Sequence, residues 1–212
     1  MDDIVLQAMA KWPNVPHCYG WLALDARGSW RMRDEAAQRA DAPGDKLTNS
    51  ALVGFINRNY VADERGCWFF QNGPQRVFIN LEATPFIVRT DPQQGLLLHT
   101  GQALAAIEQV FMTEDGALVV RAGDVTAQLD DRDLAQLLQA MTLDGKPVAD
   151  EALLGWLGGD GGDLGGKLVL RWQGRELQVE RISADEAPRR FGFVRRPDQL
   201  AGSEAPPKTT FT

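Results

Sequence analysis

The sequence predicts an α+β protein, mostly antiparallel β meanders with a few helices packed on them. Three observations carry that prediction. Strand-like alternation fills the middle of the chain, acid–glycine and asparagine–glycine turns punctuate it, and helical periodicity is confined to segments between groups of strands. With 212 residues, 44% hydrophobic and 24% charged, the chain can bury a core without disulfides or a structural metal.

The first element is a helix, because Val5, Ala8, Met9 and Trp12 fall on one face before Pro13 and Pro16 stop it. GWLALDARGSWRM follows as two strands around the turn at Asp25–Gly28, and residues 34–47 read as a polar loop with a helical turn. Thr48 or Asn49 caps a helix over SALVGFINRN, with Leu52, Phe55 and Ile56 facing inward. YVADERGCWFFQNGPQRVFINL is then a three-stranded meander turning at Asp63–Gly66 and Asn72-Gly73. FIVRT and LLLHT are strands either side of Asp91-Pro92, and VFMTEDGALVVRAGDVTAQL repeats the order of the first meander. DRDLAQLLQAM places Leu134, Leu137, Leu138 and Met141 on one helical stripe, with Asp130 or Asp131 as its cap. KLVLRWQGRELQVERI is a last hairpin around Gly174. The boundaries expected are 1–95 and 96–198 for two similar α+β halves, with 199–212 as a flexible tail.

The hairpin CWFFQNGPQRVFINLE carries large apolar side chains on both faces, whereas a surface hairpin needs only one. A two-residue loop at Asn72-Gly73 sets Phe69 opposite Arg76 and Cys67 opposite Phe78. Alternation then places Trp68, Phe70, Val77, Ile79 and Leu81 on the core side. Phe69, Arg76, Phe78 and Asn80 share the other. Either a helix such as 50–59 covers that second face, or the four residues form an aromatic shelf for a ligand or a partner's peptide. A covered face predicts stability losses for both Phe78→Ala and Arg76→Ala.

Other motifs dissolve into local structure. GGDGGDLGGK matches the spacing of a phosphate-binding loop but has Leu168 where Ser or Thr must stand, and reads as a flexible connector. His17, Cys18, Cys67 and His99 lack the paired spacing of zinc ligands, so neither a metal nor another cofactor is expected. The acid pairs Asp63-Glu64, Glu114-Asp115, Asp130-Asp131 and Asp150-Glu151 fall in turns or at helix starts. APRRFGFVRRP sets Arg189, Arg190, Arg195 and Arg196 around two phenylalanines, as a solvated strand or as a docking segment for an acidic partner.

A net charge of −7, from 29 acids against 22 bases, argues against nonspecific nucleic-acid binding. No apolar run reaches the roughly 18 residues of a membrane span. The start MDDIVLQAMAKW lacks the features of a signal peptide, and two unclustered cysteines fit a reducing cytoplasm.

ADERGCWFFQNGPQRVFINLEATPFIVRTD, with the later LHTG and LDDRDLAQLL, resembles a bacterial family of unknown function. The resemblance implies a bacterial cytoplasmic protein and supplies no activity. The expected function is a non-enzymatic binding or regulatory module for a small ligand or protein partner. The alternatives are a small hydrolase or isomerase using paired carboxylates, and a structural subunit of an assembly.

Overall fold

The computed structural model describes residues 1–12, 15–104, 106–159 and 166–198, and the chain divides into two compact units. Of the described residues, the first holds those in Met1–Asp25, Ser29–Ala83 and Gly192–Asp198, and the second those in Ala26–Gly28 and Thr84–Phe191. The division thus falls after Ala83 rather than after residue 95, and the last described segment returns to the first unit. The expected connector lies partly, and the expected tail wholly, outside the described residues.

In the first unit, α1 (Asp3–Lys11) precedes β1 (Cys18–Leu24), β2 (Trp30–Met32), α2 (Glu35–Arg39) and β3 (Asp45–Lys46). Then come α3 (Ser50–Arg58), β4 (Tyr60–Ala62), β5 (Trp68–Asn72) and β6 (Gln75–Leu81). Asn49 caps α3, its side chain accepting from the Leu52 amide at 3.0 Å, and Asp34 caps α2 through Ala37 at 2.7 Å. The sheet order is β3-β2-β1-β6-β5-β4, antiparallel except for the parallel pair β1 and β6.

The second unit contains β7 (Phe86–Asp91), β8 (Gly95–Leu98), β9 (Gln109–Met112), β10 (Leu118–Ala122) and β11 (Val125–Leu129). A 3₁₀ turn at Asp131–Asp133 leads to α4 (Leu134–Leu138), β12 (Met141–Leu143), β13 (Lys146–Pro147) and α5 (Asp150–Gly158). The hairpin β14 (Leu168–Trp172) and β15 (Arg175–Arg181) precedes α6 (Glu186–Phe191). The sheet order is β13-β12-β14-β15-β9-β10-β11-β7-β8. Its main core lies on one face around Val88, Val110, Met112, Val120 and Leu170. Phe111 and Val119, on the other face, pack against Ala187 and Phe191 of α6.

Both units contain the same five-strand plan. The order β2-β1-β6-β5-β4 in one matches β8-β7-β11-β10-β9 in the other, each with a hairpin's first strand parallel to the last strand of a meander. The two expected meanders are therefore present as antiparallel triplets. The helical stripe over 134–141 is shorter than expected: α4 ends at Leu138, and Met141 enters a strand while staying buried. A strand partner for β14 outweighs one more helical turn there.

At the 3₁₀ turn, Arg27 donates from Nε and Nη2 to the Asp131 carboxylate, both at 2.8 Å. The Arg27 hydrogen bond pulls the Asp131 carboxyl down to about 2. A lowered carboxyl stabilises the fold above the ordinary carboxylate range, and that contribution fades as pH falls through about 2. Asp131→Asn is thus expected to flatten the acid limb of the stability profile. Urea midpoints from pH 5 downward test this, and unchanged curvature would refute the assignment.

Candidate functional site

The hairpin β5–β6 pairs Phe69 with Phe78, Gln71 with Arg76 and Asn72 with Gln75, so the two-residue loop is Gly73-Pro74. Proline has no amide to give to the ladder, which moves Pro74 from the expected paired position into the turn. Gly73 takes the positive φ of 56° that such a turn needs at its first position. The shift makes Phe69 and Phe78 direct partners and leaves every face assignment unchanged.

Phe78 is 1% exposed and Phe69 4%, so the second face is covered. The covering differs from the expected one. Helix α3 lies on the other face, where Phe55 meets Phe70 edge-on at 5.4 Å. The second face is closed by Tyr19, stacked on Phe78 at 4.6 Å, and by Arg76, whose guanidinium sits 4.7 Å from the Phe69 ring centre. Val194 completes the cluster with Cys67.

Val194 arrives there because the chain returns between the ends of β5 and β6. Its amide donates to the Gly66 carbonyl at 2.9 Å, and the Leu81 amide donates to the Arg195 carbonyl at 2.8 Å. The arginine segment is therefore not one extended strand. Arg189 and Arg190 belong to α6 in the second unit, where Arg190 pairs with Glu180 at 2.7 Å and stacks over Phe111. Gly192 breaks the helix with a φ of 70°, and Arg195 and Arg196 enter the first unit.

There they meet Asn80. Arg31, Ala23 and Asn80 stand in one row across β2, β1 and β6. Beside that row opens a cavity of about 350 Å³, which Arg33, Arg195 and Arg196 also line. The carboxylates of Asp25, Asp41 and Glu82 complete its charged wall, with Ala23, Ala42 and Pro43 among its apolar surfaces. The sequence candidates Asn80, Arg195 and Arg196 converge on this cavity. Phe69, Arg76 and Phe78 form the aromatic cluster, and Arg189 and Arg190 lie in the other unit.

Most of the cavity's charges hold one another. Arg31 Nε donates to Asp25 at 2.8 Å, and Arg33 donates to Asp41 at 2.9 Å and to the Ala42 carbonyl at 3.0 Å. Arg196 bridges Asp41 and Asp198, both at 3.3 Å. The Arg196 hydrogen bond holds the Asp41 carboxyl below its ordinary range, and Arg33 adds to the effect. Asn80 donates to Asp198 at 3.0 Å, which orients its amide. On the residues that line the cavity, Arg195 Nε and Asn80 Oδ1 have no hydrogen-bond partner among the described residues, and both are sealed from solvent.

Arg31 and Arg33 were not singled out from sequence. Their signal is the alternation in SWRMRD, two arginines on one face of a short strand, which reads equally well as a solvated edge. A second, apolar cavity of about 350 Å³ lies on the α3 face, with Trp21, Met32 and Leu52 at its exposed margin. Among the described residues, no group of three or more His, Cys, Asp or Glu is placed to hold a metal, and no helix is long and apolar enough to cross a membrane.

Residues 1–198 match the family model DUF2944, described as "Protein of unknown function (DUF2946)", and the chain belongs to that family. A crystal structure of a DUF1285 family protein from Silicibacter pomeroyi DSS-3 is similar at 15% identity and a TM-score of 0.46, over 88% of this chain and 98% of that one. A DUF1285 family protein from Shewanella baltica OS155 is similar at 13% identity and a TM-score of 0.37, over 53% of this chain and 85% of that one. No curated protein matches.

Proposed function

We propose that this member of a family without an assigned activity is a cytoplasmic, non-enzymatic binding or regulatory module whose first unit receives a small charged ligand in the arginine-lined cavity. Arg195 carries the reading. Its Nε is a buried donor on a charged group with no acceptor among the described residues, in a wall whose other arginines are paired. Arg195 is thus the guanidinium of the wall that no carboxylate among the described residues holds, and the one whose charge remains to be matched. The volume, about 350 Å³, lies at the small end of ligand pockets, which run from about 300 to 1,000 Å³.

The carboxylates support binding over acid–base chemistry. Asp41 is held ionised by Arg196 and Arg33. Asp63 accepts from the Arg65 and Cys67 amides, Asp130 caps the 3₁₀ turn and pairs with Arg132, and Asp131 is bound by Arg27. These carboxylates are already occupied by structural hydrogen bonds and ion pairs, which acid–base work would first have to break. The two cysteines are free thiols, which suits a reducing compartment.

Equilibrium dialysis of the purified chain against a small-molecule extract of a bacterium carrying it tests the proposal. One or a few retained molecules are expected, with retention lost in Arg195→Ala. A chain that retains nothing, or retains the same molecules without Arg195, would falsify it.

A further inference from the structure

The rim of the aromatic cluster carries a separate set of charges, none of which lines the cavity. β1 begins with Cys18 opposite Val77 of β6, and the parallel register sets His17 beside Arg76. The ring contacts agree, with His17 edge-on to Phe78 at 5.7 Å and Tyr19 stacked on the same ring at 4.6 Å. Arg76 lies over Phe69, the partner of Phe78 on β5. Arg65, from the turn between β4 and β5, stands close enough to the Tyr19 hydroxyl to interact with it.

Three basic side chains therefore share one accessible rim: His17 and Arg65 are exposed and Arg76 is half-buried. Asp63 is the carboxylate in contact with the set, and it is already taken by Arg65 and the Cys67 amide. Arg76 has a ring beneath it and no carboxylate at ion-pair distance among the described residues. Like charges side by side on neighbouring strands repel. The imidazole shows it: partial burial, and then the charges of Arg76 and Arg65, hold the His17 pKa below its ordinary value. An anion seated on the rim would offset that repulsion and let His17 protonate.

The donors come from three segments, the chain before β1, the β4–β5 turn and β6, so they do not lie in one plane as the two oxygens of a carboxylate require. A tetrahedral oxyanion accepts from three directions. Two charges lack a counter-ion, Arg76 and His17 once protonated, and together they match a dianion. We propose that the rim binds a phosphate group, Arg76 and Arg65 donating to its oxygens and His17 taking a proton from solvent to donate to a third.

NMR titration of the full chain follows His17, one of two histidines, with its signal identified by its loss in His17→Gln. Sulfate is the first probe, because it stays dianionic over the pH range in which phosphate titrates. In saturating sulfate the His17 pKa is expected to rise by about one unit over its value in chloride at matched ionic strength. Sulfate should accordingly bind about tenfold more tightly at pH 5 than at pH 8. Acetate should bind at least about tenfold more weakly than sulfate. Arg76→Ala should weaken sulfate by about tenfold, in protein whose thermal unfolding stays cooperative. Arg89→Ala removes the same charge from an exposed position of the second unit and should leave the affinity unchanged. Inorganic phosphate and phosphoserine, compared at pH 7.5, distinguish the free ion from a phosphorylated molecule, and saturable binding of either supports the proposal. An equal His17 shift in chloride, or equal losses in Arg76→Ala and Arg89→Ala, would leave only ionic screening and overturn it. Acetate binding as tightly as sulfate, or no saturable binding by any of the tetrahedral anions, overturns it as well.

Discussion

Phe78→Ala is expected to destabilise the protein by about 3–5 kcal/mol, the usual cost of emptying a buried aromatic site. Phe78 is 1% exposed and touches rings on three sides: Tyr19 stacked at 4.6 Å, Phe69 at 5.5 Å and His17 edge-on at 5.7 Å. These partners come from two strands and the chain before β1, so no single rotamer change can refill the space. Arg76→Ala should cost far less, about 0.5–2 kcal/mol, because it loses one guanidinium–ring contact with Phe69 from a half-exposed position. The sequence suggested large losses in both. Denaturant melts settle the contrast: a Phe78→Ala protein within about 1 kcal/mol of the parent would contradict the packing.

The same cluster shows what could be read without coordinates. Alternation along residues 67–82 assigned each side chain to its face, because a strand's period of two survives an error in the turn. The turn itself was misplaced, although Pro74 already carried the information that it could not donate to a ladder. The meanders were legible for a related reason, since acid–glycine turns bound strands locally. What closes the second face was not legible. It depends on Val194 meeting Cys67 and on Arg195 accepting from Leu81, contacts between segments far apart in the chain.

The cavity was half legible on the same grounds. Asn80 and the terminal arginines were noticed separately, as parts of two unrelated motifs. Nothing in either motif says that Gly192 ends a short helix and sends Arg195 and Arg196 back to the first unit. Arg31 and Arg33 gain meaning only once β2 lies beside β1 and β1 beside β6. Local periodicity gives faces. Only the strand order joins the faces into a wall.

That dependence on the return makes Gly66→Ala the second large effect expected. Gly66 turns from β4 to β5 with a φ of 78°, where a side chain costs about 1–2 kcal/mol in strain. A Cβ there would also stand 2.2 Å from the Gly192 carbonyl oxygen and 3.1 Å from the Phe193 Cα, both backbone atoms. Relief requires the returning chain to move, and moving it breaks the 2.9 Å bond from the Val194 amide to Gly66. Gly73→Ala is the control, with a φ of 56° and only the Ala8 Cβ nearby at 3.7 Å. It should show the strain alone. Gly66→Ala should lose more stability and should also expose the Val194 and Leu81 amides to hydrogen exchange, which Gly73→Ala leaves protected. Because Arg195 and Arg196 travel with the return, any ligand retained by the parent should be lost in Gly66→Ala and kept in Gly73→Ala. Equal exchange at Val194 in both variants would show that the return is held by something other than its passage beside Gly66.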